Sequence, residues 1–265
     1  LPTRELALQV EENIRKLGGG LGLKTAALIG GEAIGKQIFA LRRNPHVYVA
    51  TPGRLTDCMR RKLVKLENVK ILILDEADLM FDMGFAPQIE EIIKYIPKER
   101  QTMLFSATMP PAILKLVAAH MNLPVSIEVA PSGTTVEKVD QEVFVMHKED
   151  KPIHLEKVLN KHTGSVLVFM RTKYGARQLS KEAKLAGHKA AEIHSNLSLR
   201  QRREALDGFK SKKYRILFAT DIAARGLDVN GIELVINYDL PDNCEDYVHR
   251  IGRTGRAGRG GEAIL

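Results

Sequence analysis

Cysteine is nearly absent from this chain: two residues in 265, Cys58 and Cys244, far apart and without companions at metal-ligand spacing. That excludes a disulfide framework and a cysteine-based zinc site, and it suits a reducing, cytoplasmic setting. No apolar run is long enough to cross a bilayer and no segment has the layout of a signal peptide, so no membrane partner is expected. Repeats and low-complexity tracts are missing as well. Disorder is excluded, because 44% of the residues are hydrophobic, enough for real cores. Negative charge is in short supply: 32 Asp and Glu face 40 Lys and Arg, for a formal net charge of +8 and a pI of about 9.4. Such a balance favours a polyanionic partner. The chain opens on Leu1 rather than Met, so a piece of a longer protein is expected.

What is present reads as alternating helix and strand. Residues 5–17 carry Leu6, Val10, Ile14 and Leu17 on one helical face, and Gly18-Gly19-Gly20 ends that helix. Strands are predicted at 24–29, 46–50, 71–74 and 102–105, with a helix around Ile89, Ile92 and Ile93 before the last. The run Ile71-Leu72-Ile73-Leu74 reads as a parallel strand buried on both faces. A turn-rich stretch at 131–138 is the expected linker. Beyond it strands are predicted at 141–146, 165–169, 190–193, 216–219 and 234–237, with helices at 176–186 and 200–209. The prediction is two consecutive α/β domains with parallel sheets, 1–130 and 139–265, and a cleft between them as a ligand location.

The chemistry gathers where strands end. Asp75-Glu76-Ala77-Asp78 follows the apolar run at 71–74, and the carboxyl end of a strand is where open α/β sheets bind ligands. One carboxylate there can hold Mg²⁺ through its waters, while its neighbour orients a water towards a γ-phosphate. The plain alternative is an acid-rich helix start. Ser106-Ala107-Thr108 places two hydroxyls just past another strand, where they either bond the acids or cap the next helix. Gly30-Gly31-Glu32-Ala33-Ile34-Gly35-Lys36-Gln37 nearly matches a phosphate loop, but Gln37 stands where the metal-binding hydroxyl belongs. Arg250, Arg253 and Arg256 recur every third residue, and three guanidiniums on one face repel unless an anion sits among them.

Asp75-Glu76-Ala77-Asp78, Ser106-Ala107-Thr108 and His249-Arg250-Ile251-Gly252-Arg253-Thr254-Gly255-Arg256, in this order, resemble motifs II, III and VI of the DEAD-box RNA helicases. Pro2-Thr3-Arg4-Glu5-Leu6-Ala7 resembles motif Ia, Thr51-Pro52-Gly53-Arg54 motif Ib, Val168-Phe169-Met170-Arg171-Thr172 motif IV and the stretch from Ala219 to Asp228 motif V. The resemblance implies two tandem RecA-like α/β domains, the first truncated at its N-terminus. It implies ATP and Mg²⁺ as cofactors, with Asp75 and Glu76 on the metal through water and Arg253 and Arg256 on the γ-phosphate. Asp78, Ser106, Thr108, Gly226, Asp228 and His249 would serve nucleotide binding and coupling. RNA would meet Thr3, Arg4, Gly30, Gly31, Thr51, Pro52, Gly53, Arg54, Arg171, Thr172, Arg202, Thr220 and Asp221. One departure is Leu199, which stands where the family's Q-x-x-R segment has glutamine. The implied function is an ATP-dependent RNA helicase core, expected as a monomer. The family's phosphate loop and adenine-reading segment lie upstream of motif Ia, so this chain alone is expected to be inactive as an ATPase. A non-catalytic RNA clamp and a DNA helicase or translocase of the same superfamily stay open.

Overall fold

A computed structural model of the chain describes residues 1–128, 139–224, 229, 231–255 and 260–265. The chain divides into two compact units, Leu1–Ser132 and Gly133–Leu265. The expected linker at 131–138 lies outside the described residues.

In the first unit the order is α1 (Arg4–Gly18), β1 (Thr25–Leu28), α2 (Ile34–Leu41), β2 (Val47–Ala50), α3 (Pro52–Arg60), β3 (Ile71–Leu74), α4 (Ala77–Asp82), α5 (Ala86–Tyr95), β4 (Gln101–Leu104) and α6 (Pro111–His120). Thr3 caps α1, its hydroxyl accepting from the Leu6 N–H at 3.3 Å. The strands form two parallel pairs, β1 with β2 and β3 with β4. Parallel neighbours need a crossover, and the helices between them supply it.

Strand β3 corrects the sequence reading. Leu74 joins Ala77, Met80, Ile89, Ile93, Ile113 and Leu116 in a core against α4, α5 and α6, with Leu72 packed beside it. Ile71 and Ile73 are 54% and 52% exposed, so the strand is not buried on both faces. The physical reason is the period of two: helices cover the face of Leu72 and Leu74, and among the described residues nothing covers the other.

The second unit contains β5 (Val139–Glu142), α7 (Lys151–Lys161), β6 (Val166–Met170), α8 (Lys173–Leu185), β7 (Ala190–Ile193), α9 (Leu199–Lys210), β8 (Ile216–Thr220), α10 (Asp221–Ala224), β9 (Leu234–Asn237), α11 (Cys244–Ile251) and β10 (Gly261–Ile264). All six strands are parallel, in the order β5-β10-β9-β6-β8-β7. Leu167, Phe169, Leu217, Ala219 and Val235 face one core with Ala205, Leu206 and Phe209. Val166, Val168, Ile216, Phe218, Leu234 and Ile236 face the other with Leu155, Leu159 and Leu179. Both faces are covered, so these strands read as continuous apolar runs.

Two boundaries move. The strand expected at 141–146 lies at Val139–Glu142, because Val139 packs with Ile251 and Ala263 while Val143 and Val145 are 70% and 98% exposed. Strand β10 was not foreseen: its Gly-Glu-Ala-Ile sequence has little strand character, and its place between β5 and β9 is what holds it.

Candidate functional site

At the carboxyl ends of β3 and β4 the acidic and hydroxyl motifs meet. Asp75 accepts the Glu76 N–H at 3.0 Å. Glu76 adopts φ 50° and ψ 54°, a left-handed conformation rare outside glycine that turns the chain into α4. Asp78 is 6% exposed. Its Oδ1 accepts the Leu79 N–H at 2.9 Å, and its Oδ2 accepts from Ala107 N, Thr108 N and the Thr108 hydroxyl at 3.1, 3.0 and 3.1 Å. The Ser106 hydroxyl accepts the Asp78 N–H at 3.1 Å and donates to the Thr108 carbonyl at 2.6 Å. Helix α6 is entered at Pro110 with no side-chain cap, so neither hydroxyl serves it. They tie the ends of two neighbouring strands into one rigid unit.

Asp75 and Glu76 are adjacent, half-buried carboxylates. No group of three or more metal-ligating side chains occurs among the described residues. A magnesium ion, which keeps most of its waters and takes one or two carboxylates, fits this donor set; an all-protein cage would not.

The ends of β1 and β2 carry a second cluster. The Arg4 guanidinium lies against Gly30 and Gly31; a Cβ on Gly31 would collide with it, and Gly31 has φ +76°. Gln37 is 2% exposed and donates to the Ile29 carbonyl at 2.8 Å, just before the glycines. The near-match to a phosphate loop thus runs into helix α2 with its glutamine turned inward. Thr51 and Pro52 are buried at the start of α3, next to exposed Gly53, and the Thr51 N–H donates to the Leu28 carbonyl at 3.0 Å. Both terminal nitrogens of Arg54 lie 3.4 Å from the Glu32 carbonyl. The structure brings Arg4 to Gly30 and Gly31, and Arg54 to the loop that follows them.

In the second unit the ends of β6, β8 and β9 converge. Thr172 caps α8 by accepting the Gly175 N–H at 3.0 Å. Arg171 gives its N–H to Asp239 at 2.9 Å and its guanidinium to the Leu240 carbonyl and Asp242, both at 3.1 Å. Thr220 ends β8 and Asp221 opens α10. Arg250 is 3% exposed. It bonds both Asp221 oxygens at 2.6 and 2.8 Å, Asn237 Oδ1 at 3.0 Å and the Asp239 carbonyl at 2.6 Å. The anion that the arginine spacing required is, for Arg250, the protein's own Asp221. Arg253 lies in the turn after α11, its Nε 3.3 Å from the His249 carbonyl. Gly226, Asp228 and Arg256 lie outside the described residues.

Arg202 sits on α9, 8% exposed. Leu199 is core at 8% exposure, and Gln201 is used in the capping box with Ser198. Nearby His194 is 3% exposed. Burial pulls its pKa below the ordinary value against the Glu192 carboxylate, with Arg177, Lys173 and Arg202 adding to the lowering. Sequence reasoning assigned nothing to Asn237 and Asp239. The signal was there: polar residues at the end of a buried strand, as in the other motifs.

The DEAD/DEAH box helicase family pattern matches residues 1–116, and that of the Helicase conserved C-terminal domain residues 150–258. Two parallel α/β units with these matches make the class a helicase core of two RecA-like domains. S. cerevisiae Dbp5 bound to RNA and ADP BeF3 is 33% identical with a TM-score of 0.89, over 99% of this chain and 68% of that one. A DEAD box protein from the hyperthermophile Methanococcus jannaschii is 43% identical with a TM-score of 0.52, over 100% and 71%. The chain belongs to the DEAD-box family of ATP-dependent RNA helicases. The DEAD-box ATP-dependent RNA helicase CshA of Geobacillus kaustophilus is 44% identical over 264 residues, 99% of this chain and 56% of that protein. The chain thus spans about half the length of the curated relatives it matches.

Proposed function

We propose that this chain is the part of an ATP-dependent RNA helicase that grips the RNA backbone and couples nucleotide state to it, in the service of local duplex unwinding or RNP remodelling. One observation carries the reading: Asp78 accepts four hydrogen bonds, from the N–H of Leu79 just past its motif and from Ala107 and Thr108, so the acidic motif is tied directly to the hydroxyl motif. Dbp5, similar over nearly the whole chain, has been solved with RNA and a nucleotide bound.

In this reading Asp75 and Glu76 would hold Mg²⁺ through its waters, and the metal would neutralise phosphate charge. Glu76 also orients the attacking water, its position set by the left-handed backbone. Ser106 and Thr108 pass the state of that corner to β4. Arg253 and Arg256 supply positive charge to the γ-phosphate. Arg4 beside Gly30 and Gly31, Arg54, Arg171 and Arg202 take RNA phosphates, with Thr3 and Thr172 capping the starts of α1 and α8 and Thr51 standing uncapped at the start of α3. Gly35-Lys36, the only Gly-Lys pair in the sequence, lies in α2 beside a buried glutamine, which argues against it as a cradle for the β- and γ-phosphates.

The test has two arms. The 265-residue chain is expected to bind single-stranded RNA with an affinity that falls as salt rises and to outlast a matched DNA competitor, while hydrolysing no ATP. Affinity flat against log[salt] would return the arginines to a solvated basic surface. Preference for the DNA strand would favour the superfamily's DNA translocases, and RNA-stimulated turnover would reinstate Lys36 as a phosphate ligand.

A further inference from the structure

The stretch from Asn237, the last residue of β9, to Asp242 has no role in the reading above, yet three cations converge on it. The Lys151 ammonium donates to the Tyr238 carbonyl at 2.8 Å, Arg250 to the Asp239 carbonyl at 2.6 Å and Arg171 to the Leu240 carbonyl at 3.1 Å. Asn237, 2% exposed, accepts a further bond from Arg250 at 3.0 Å. In return the Asp239 carboxylate accepts the Arg171 N–H at 2.9 Å, and the Asp239 N–H reaches the Phe169 carbonyl at 3.4 Å.

The place of this junction matters. β6 lies between β9 and β8. The chain leaves β6 towards β7 on one side and leaves β9 towards β10 on the other. The crevice at the carboxyl ends of β6 and β9 is therefore the topological switch point of the sheet, where open parallel sheets take ligands. Phe169 and Asn237 are register partners there. Past that pair the Asp239 N–H makes one more, long bond to the Phe169 carbonyl at 3.4 Å, and the Asp239 side chain carries the contact on to the Arg171 N–H. It fixes the peptide that presents Arg171 and Thr172, and Thr172 in turn starts α8. A carboxylate cannot itself receive a phosphate, so whatever Asp239 does for an anion it does through that peptide.

We propose that Asp239 is a positioning residue for RNA phosphate at Arg171 and Thr172, and that it ties this site to Arg250 and Asp221. The proposal rests on the RNA reading above. Its test is a double-mutant cycle on the 265-residue chain, with a fluorescein-labelled single-stranded oligouridylate as probe and thermal melting in parallel. Asp239→Ala should raise the Kd roughly tenfold, the size expected for one charge-assisted hydrogen bond. Asp239→Asn, which keeps one acceptor oxygen, should restore most of the affinity. With Arg171→Ala in place, Asp239→Ala should add little, because the two share one site. Should Asp239→Ala fail to fold, Asp239→Glu carries the test: it keeps the charge, displaces the acceptor and should still weaken binding. Wild-type affinity in Asp239→Ala, or losses that simply add in the double variant, would overturn the proposal. A folded wild-type chain that binds no RNA would overturn the RNA reading itself.

Discussion

Arg250 and His194 are both almost wholly buried, and they put opposite demands on charge. Asp221 meets the Arg250 guanidinium with two oxygens, while Asn237 and the Asp239 carbonyl take further N–H groups. Removing one partner of a fully buried pair costs about 3–5 kcal/mol, and because the Asp221 side chain is 30% exposed the loss here is expected to be smaller. Arg250→Ala is therefore expected to lower the thermal midpoint of the second unit, followed by circular dichroism. Arg250→Leu paired with Asp221→Leu should recover much of that loss. His194 instead resists protonation, because burial lowers its pKa despite the Glu192 carboxylate 3.7 Å from its Nε2. Neither ring nitrogen has a hydrogen-bond partner among the described residues. The unfolded chain takes up a proton at His194 that the folded chain resists. The stability linked to it is therefore full above the ordinary pKa of 6.5 and drains away as pH falls below that value. Urea midpoints measured at neutral pH and at pH about 5.5 should differ less in His194→Gln than in the wild type.

At the scale of elements, helices were the most legible. Residues 5–17 carried a stripe and a glycine stop, and α1 runs Arg4–Gly18. Strands β6, β8 and β9 of the second unit were legible because both faces are buried and the runs are continuous, whereas β5 was displaced and β10 missed. Strand β3 looked the same in sequence and proved one-sided, since four apolar residues in a row do not say whether one helical layer covers them or two. The turn at Gly30 and Gly31 shows what a sequence motif cannot: the second glycine is needed twice, for its φ of +76° and for the guanidinium of Arg4 lying against it. Gly31→Ala is expected to destabilise the first unit by about 1–2 kcal/mol from backbone strain alone and to weaken RNA binding by displacing Arg4. Gly30→Ala, whose Cβ would stand 3.4 Å from the Arg4 side chain, should be much milder. Urea melts and RNA titrations on the same two variants check the ordering. Leu123, Val125 and Ile127 alternate as a strand would, yet are 92%, 86% and 82% exposed and belong to no sheet among the described residues.

The two units differ as wholes. The second has six parallel strands in one sheet and a packed layer on each face. The first has two separate pairs, with Ile71 and Ile73 open on one face. Residues 139–265 expressed alone are expected to melt cooperatively, near the midpoint they show in the full chain. Residues 1–128 alone should melt lower and bind the dye ANS more strongly, in keeping with the exposed apolar surface. A cooperative, dye-silent first unit would mean that its exposed faces close on each other. The sequence by itself determined the alternation of helix and strand, the helicase motifs and their order, because periodicity and short strand-end motifs are local. Only the tertiary structure decided that Arg250 answers to Asp221, that Gln37 turns inward, that Arg4 needs Gly31, and that Asp239 stands beside Arg171. Those pairings join residues up to 68 positions apart, and they exist only because parallel crossovers bring the carboxyl ends of distant strands to one edge of the sheet.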